Sequence, residues 1–363
     1  MKVLITGGLG LVGKSVVDRM KRDGYQLKVI DRQEEAEIEG VEYAQCDITD
    51  YPALRQQVRG CEAIVHLAAI PYPGGGTGPE IFRINCAGTF NVYEAAAEEG
   101  IRRVACASSI NALGFNFGIK SFPLRYFPID EDHPTFTTDA YSFSKQVLED
   151  IAAYYWRREG IASVSFRFPW VYTPNSELRE MGKMFVKQYH KLLDEVLAMP
   201  EPARRDLMRK IVTQFDEDRA KRLYEKPWSE RLENGEPDWN NPSLLVFFGY
   251  TDFWSVVSGE DAALAFEKGL QADIEGSEVF FINEYWNMAG VEAETLAQLF
   301  YPDVTQRKRA LDSKECLVSI DKARRMLGYQ PEGRILDWVG AEGVLSGDGA
   351  SSGDGGTLSQ VGG

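Results

Sequence analysis

A glycine-rich turn between a short apolar strand and an amphipathic helix opens the chain, and it restricts the fold more than any other feature. Lys2-Val-Leu-Ile-Thr6 reads as a strand, and Gly7-Gly-Leu-Gly-Leu-Val-Gly13 follows it directly. Leu11, Val12, Val16, Val17 and Met20 then form an apolar stripe at helical spacing, which predicts a helix over 11–23. Gly7, Gly10 and Gly13 sit three apart in the turn. One glycine makes the tight bend, one lets the backbone approach a pyrophosphate, and one lets helix and strand pack closely. The helix start then offers free N–H groups and a positive dipole end to the phosphates.

The next strand, Leu27-Lys-Val-Ile30, ends at Asp31, eighteen residues after Gly13. A carboxylate there accepts bonds from both adenosine ribose hydroxyls and repels a ribose phosphate, which favours NAD over NADP. Arg32 acts the other way, since its charge softens that repulsion. Further strands are expected at 41–44, 62–67, 102–107 and 161–166, with helices at 51–58, 79–99 and 139–159. Alternating strands and helices predict a parallel sheet covered on both faces, a doubly wound α/β Rossmann fold.

The alternation breaks near Pro174. Residues 176–226 read as two amphipathic helices separated by Pro200 and Pro202, either a hairpin docked on the body or a lid over the substrate. Residues 227–242 read as a polar loop, 244–248 and 278–282 as strands, and 259–268 as a helix. The expected organisation is an NAD-binding domain at 1–172, a helical insertion or lid at 173–228, a smaller substrate-binding region at 229–345, and a tail at 346–363. The tail is rich in Gly, Ser and Asp, too poor in apolar side chains to offset its ordering entropy, and is expected to be flexible.

The net charge of −15 argues against nucleic acid and anionic membranes as partners. No apolar run approaches the length of a membrane span, and the chain opens on Met-Lys and a strand rather than a signal peptide. Five scattered cysteines (Cys46, Cys61, Cys86, Cys106, Cys316) without a Cys-x-x-Cys pair fit reduced core thiols and a cytoplasmic location. The three histidines show no ligand spacing, so no metal is expected, and His66 reads as a satisfied core histidine.

Tyr141-Ser-Phe-Ser-Lys145 supplies the chemistry. In a helix the tyrosine and lysine share one face. A phenol with a pKa of about 10 is a poor base near neutrality. The lysine ammonium and an oxidised nicotinamide ring are expected to lower it, a drop of roughly three units corresponding to about 4 kcal/mol. Ser108 and Ser109, at the end of the strand at 102–107, are the candidates for a hydroxyl that orients the substrate oxygen.

With these segments the chain resembles an extended short-chain dehydrogenase/reductase of the NAD-dependent epimerase/dehydratase family. Asp47-Ile48, His66-Leu-Ala-Ala69, Asn85-Cys-Ala-Gly-Thr-Phe-Asn-Val92, Arg167-Phe-Pro-Trp-Val-Tyr172 and Ser319-Ile-Asp-Lys-Ala-Arg-Arg-Met-Leu-Gly328 add to the likeness. It covers residues 1–175 well and 243–335 more loosely. The resemblance implies a catalytic set of Ser109, Tyr141 and Lys145. It implies NAD contacts from Gly7, Gly10, Leu11, Val12, Gly13, Asp31, Arg32, Asp47, Ile48, Leu67, Ala68, Ala69, Asn85, Ser108, Tyr141, Lys145 and Pro169. Substrate contacts are expected from Ser109, Ile110, Asn111, Tyr141 and Arg167. It also implies a homodimer through the helices at 79–99 and 139–159.

Relatives that act on nucleotide sugars commonly carry an Asn soon after the strand equivalent to 161–168 and an Arg just before an Asp-Phe pair. Here no Asn occurs until Asn175, and Thr251 precedes Asp252-Phe253. Arg179, Arg204, Arg205 and Arg209 are the alternative cations for a diphosphate, against the simpler reading of a solvated helix face. The leading functional expectation is NAD-dependent oxidation of a carbinol carbon in a sugar or sugar acid. A nucleotide-sugar epimerase is the alternative. A dehydratase ranks below it, because Asn111 stands where a carboxylate would assist elimination. A non-catalytic NAD-binding sensor is the third reading.

Overall fold

The computed structural model describes residues 1–340, apart from Glu35, residues 174–178, residues 227–240 and Leu244. The polar loop and the tail expected at 227–242 and 346–363 therefore lie wholly or mostly outside the described residues.

Among the described residues seven strands form one parallel sheet. They are β1 (Lys2–Thr6), β2 (Gln26–Asp31), β3 (Glu42–Gln45), β4 (Ala63–His66), β5 (Arg103–Ser109), β6 (Ala162–Phe168) and a last strand at Ser277–Phe281. Their spatial order is β3-β2-β1-β4-β5-β6 followed by Ser277–Phe281. Helices cover both faces. Helix α1 (Leu11–Arg22) and the helix Gly259–Gln271 pack on one, where Val3, Ile5, Val16, Val17, Val65 and Phe266 share a buried cluster. Helix α2 (Tyr51–Val58) and the helices of 78–98 and 140–159 pack on the other, around Leu4, Ile30, Ile64, Val92 and Tyr155. Burial on both faces explains why the central strands are near-continuous apolar runs rather than alternating ones. The chain order reverses between β1 and β4, and at such a switch point a crevice opens beyond the carboxyl ends of the strands.

The helical segment at 78–98 is composite. Helix α3 (Gly78–Ile81) runs into a π-helical turn at Phe82–Ala87 and then into α4 (Gly88–Glu98). Helix α5 (Ala140–Glu159) is capped by the Asp139 side chain, which accepts from Ser142 N at 2.8 Å.

One expectation needs correction. Residues 244–248 are not a strand. Leu245 is helical and Val246–Tyr250 form a π-helical turn. A short apolar run fits a buried helical turn as well as a strand, and here the turn packs against the helices of 179–220. Gly249 is required there, because a Cβ would overlap the Tyr189 hydroxyl. In addition, β7 (Trp170–Tyr172) and β8 (Val256–Ser258) form a separate two-stranded parallel sheet that sequence periodicity did not predict.

The insertion comprises α6 (Arg179–Leu197) and α7 (Glu201–Ala220). Phe185, Val186, Tyr189, Leu193, Met208, Ile211 and Phe215 join the same buried cluster as Phe115, Phe253, Trp254 and Leu296. His190 bonds the Met288 carbonyl at 2.7 Å, and Trp254 Nε1 donates to the Tyr189 hydroxyl at 2.5 Å. Arg205 and Arg209 pair with Glu201 and Asp206 on the solvated face, and Arg204 donates to the Leu197 carbonyl.

Candidate active site

One cavity of about 670 Å³ occupies the crevice at the switch point. Its floor is the glycine turn. Gly7 has a left-handed φ of +71°, and a Cβ there would lie 2.7 Å from Ala68 N. At Gly13 a Cβ would overlap the Gly7 carbonyl oxygen and approach the Gly8 backbone to 2.7 Å. Side chains at these positions would close the turn. Thr6 Oγ1 accepts from Leu67 N and Ala68 N, both at 3.2 Å, and so locks the ends of β1 and β4 together. Helix α1 begins at Gly10 without a side-chain cap, leaving its first N–H groups to the cavity, which Leu11, Val12 and Gly13 line. Asp31 lines the far end, with its carboxylate oriented by Leu9 N and Arg32 N. A glycine cradle, an uncapped helix start and a carboxylate at the end of the next strand together fit a dinucleotide of the NAD type.

Arg32, Ile48, Leu67, Ala68, Ala69, Ser108, Pro169 and Lys145 also line this cavity. Two of the expected contacts do not. Asp47 turns its carboxylate onto Thr49, accepting from the backbone N and Oγ1, each at 2.8 Å. Asn85 is a brace within the π-helical turn, accepting from Ile70 N at 2.8 Å and donating to the Ile70 carbonyl and to Ser144 Oγ. It fixes the segment after β4 against α5. His66 is buried between Thr6 Oγ1 at 2.8 Å and Thr89 Oγ1 at 2.9 Å, and burial pushes its pKa down to about 3.

At the other end of the cavity β5 and α5 bring Ser109, Tyr141 and Lys145 together. The Ser109 hydroxyl hydrogen-bonds the Tyr141 phenol and also accepts from Asn111 N and Nδ2, both at 3.2 Å. Lys145 Nζ lies 5.8 Å from the centre of the Tyr141 ring and donates to the Ala107 carbonyl at 2.8 Å. The expected acidification of the phenol by the lysine is not what dominates. Burial raises the Tyr141 phenol to about 12, the Ser109 hydrogen bond opposes this, and Asp139 and Asp252 add to the rise. Burial also lowers the Lys145 ammonium to about 8.

Ser108 and Ser109 differ in role. Ser108 Oγ donates to Glu149 Oε1 at 2.7 Å, and that carboxylate also holds Arg167. Arg167, expected at the substrate, is corrected by this pairing. Its Nε and Nη2 bond Glu149 at 2.9 and 2.7 Å, both residues are buried, and Arg167 does not line the cavity. None of the described residues of α6 and α7 lines it either.

Asn116, Phe117, Trp170 and Asp252 are among the lining residues that the sequence reading of the site did not name. The Asp252-Phe253 pair was the available signal, but Asp252 reaches the site only by folding over 136 positions to Asn116, whose Nδ2 donates to Asp252 Oδ1 at 2.8 Å. Among the described residues no group of three or more His, Cys, Asp or Glu side chains could hold a metal ion, and no helix is long and apolar enough to cross a membrane. All five cysteines are buried and none forms a disulfide.

Comparison with known proteins gives the same family as the motifs. The sequence profile of the "NAD dependent epimerase/dehydratase family" matches residues 3–209. A uronate dehydrogenase of Pseudomonas syringae pv. tomato is 30% identical over 208 residues, covering 55% of this chain and 70% of the relative. An L-arabinose 1-dehydrogenase (NAD(P)(+)) of Haloferax volcanii is 29% identical over 184 residues, covering 49% of this chain and 70% of the relative. Among solved structures, MoeE5 in complex with UDP-glucuronic acid and NAD superposes with a TM-score of 0.58 at 18% identity, covering 94% of this chain and 97% of that one. The cradle, the Ser109–Tyr141–Lys145 set and the profile match lead to one assignment: the chain is an enzyme of the NAD-dependent epimerase/dehydratase family, within the extended short-chain dehydrogenases/reductases.

Proposed function

We propose that this enzyme oxidises a carbinol carbon of a sugar or sugar acid and releases the product together with NADH. The observation that carries the reading is the placement of Ser109, Tyr141 and Lys145 in the same cavity as the glycine cradle. The uronate and arabinose dehydrogenases among the relatives support the substrate class.

In this reading Gly7, Gly10, Leu11, Val12 and Gly13 hold the pyrophosphate, Asp31 the adenosine ribose, and Pro169 and Lys145 the nicotinamide end. When bound, oxidised NAD supplies the hydride acceptor and a positive charge beside the phenol. Ser109 donates a hydrogen bond to the substrate oxygen and orients the carbinol. Tyr141 removes the hydroxyl proton as the hydride leaves the carbon. Lys145, anchored on the Ala107 carbonyl, keeps a cation one helical turn from the phenol, and with the charge of oxidised NAD it opposes the rise that burial imposes. Removing a hydroxyl that positions and polarises the reacting oxygen costs on the order of 10²–10³ in kcat, so Ser109→Ala should fall in that range while NAD affinity is kept.

The functional division that follows assigns NAD to residues 1–172, a docked helical insertion to 173–228, and substrate contacts to the region after 229. We also place the enzyme in a homodimer through the faces of α4 and α5. Phe82 stacks on Phe143 and Phe90 on Tyr154, and all four rings are exposed on one copy. Exposed aromatic rings paired across two adjacent helices are typical of a surface meant to be covered.

The test is net NADH release with a panel of sugars, uronates and nucleotide sugars. A dehydrogenase forms one NADH per sugar consumed. An epimerase converts sugar over many turnovers with none, and that outcome would replace this proposal.

A further inference from the structure

Asp252 is a carboxyl placed where a substrate lies, and the chemistry so far gives it no work. It is 9% exposed, lines the cavity, and accepts from Asn116 through one oxygen only. Among the described residues its second oxygen has no hydrogen-bond donor. The neighbouring geometry fixes it near the reacting end. Phe117, next in the chain to Asn116, sets its ring edge-on to Tyr141 at 6.1 Å, and the Asp252 charge is felt by the Tyr141 phenol. Behind it, Phe253 and Trp254 are held in the left-handed backbone region at φ 56° and 54°. Both side chains are fully buried, Phe253 against Phe115 and Trp254 against Phe300 and Tyr189. Two consecutive aromatic residues in that conformation persist only where packing over-determines them, and strain of this kind concentrates at ligand clamps.

The same wall carries two further acceptors, Asn111 Oδ1 and Asn116 Oδ1, both buried without a partner among the described residues. Their amide orientations are set, because each Nδ2 donates elsewhere, Asn111 to Ser109 and Asn116 to Asp252. Both amide oxygens are enclosed, so the free Asp252 oxygen is the acceptor left to meet a donor from a ligand, and a carboxyl oxygen without a donor is costly until one arrives.

We infer that Asp252, steadied by Asn116, orients the substrate by accepting a hydrogen bond from a second hydroxyl, next to the carbinol that is oxidised. The enzyme thereby requires a vicinal diol and rejects the matching deoxy compound. The inference rests on the oxidoreductase reading for its reaction and adds the feature by which that site selects. Burial raises the Asp252 carboxyl to about 7 and the Asn116 bond opposes the rise, so a donor from substrate is strongly welcomed.

The experiment crosses enzyme and substrate changes. The fastest sugar from the panel and its monodeoxy analogues are compared on the full chain and on Asp252→Ala, with NAD present, reading kcat/KM and the ligand-induced rise in Tm. A hydrogen bond to a charged group corresponds to about 10- to 100-fold, so the substitution should lower kcat/KM for the parent sugar by that factor. For one deoxy analogue it should change kcat/KM by less than about threefold, since the partner hydroxyl is already gone. Asp252→Asn, closer in shape, should show the same position-specific pattern with a smaller loss, and it decides the matter if the alanine variant does not fold. A loss that is equal for all analogues, or no loss, overturns the inference and leaves Asp252 a structural residue. Position-specific coupling seen in Tm with no NADH from any sugar would keep the inference and end the oxidoreductase reading. If no sugar alters Tm or forms NADH, both fall.

Discussion

At the scale of single residues, the site depends on what cannot be added as much as on what is present. Gly13 has no room for a methyl group against the Gly7 and Gly8 backbone. Gly13→Ala should therefore distort the turn and lose NAD affinity by at least tenfold, about 1.4 kcal/mol, measured by quenching of tryptophan fluorescence on the protein that circular dichroism shows to be folded. Unchanged affinity would mean that the turn does not carry the pyrophosphate. Such glycines were legible in the sequence because their constraint is local. So was the Tyr141–Lys145 pair, since four residues of helix fix its geometry. Asp252 was not, because its partner Asn116 lies 136 positions away and nothing in the spacing marks the meeting. Arg167 was misread for a related reason. A cation near a strand end looks free in a sequence, and only the fold reveals Glu149 bonded to it through both oxygens. The protonation balance of Tyr141 also escaped the sequence, since helical spacing gives the lysine's nearness and says nothing of how deeply the phenol is buried.

At the scale of elements, the first half of the sheet was readable and the attachments beyond it less so. Strands β1, β2 and β4 follow apolar runs bounded by polar turns. The run at 244–248 is apolar too, yet Val246–Tyr250 form a helical turn packed against α7, where the hydroxyl of Tyr189 and the ring of Trp254 leave no room for a side chain at Gly249. The small sheet of β7 and β8 is tied to the C-terminal segment by Glu284. That carboxyl accepts from the Tyr172 hydroxyl at 2.5 Å and from Ile335 N at 3.0 Å. Burial raises it to about 8, well above its ordinary range. The folded state thus holds a proton that the unfolded chain has released, so this group's contribution is full below about pH 4.5 and declines as pH rises towards 8. Glu284→Gln, which cannot ionise, should gain in Tm relative to the parent chain between pH 5 and pH 8. Parallel Tm profiles for the two proteins would show that Glu284 does not titrate across this window.

At the scale of the whole molecule, one fold does two things. The switch point of the sheet makes a crevice for NAD, and the end of β5, the segments that follow it and the turn before β8 line the other end with Ser109, Asn116, Tyr141 and Asp252. The face where the π-helical turn, α4 and α5 expose Phe82, Phe90, Phe143 and Tyr154 is the one proposed to meet a second copy. Phe90→Glu with Phe143→Glu should convert a dimer of about twice the 40.7 kDa chain mass to a monomer in light scattering, and a monomeric parent protein would refute the interface. The central claim concerns the phenol of Tyr141 as the group that takes the substrate proton. It is tested most directly by Tyr141→Phe, with NADH formation followed in a single turnover beside NAD affinity. The expected result is unchanged affinity and turnover lower by about 10²–10⁴. Turnover within a few-fold of the parent enzyme, at equal NAD affinity, would show that the proton leaves by another route.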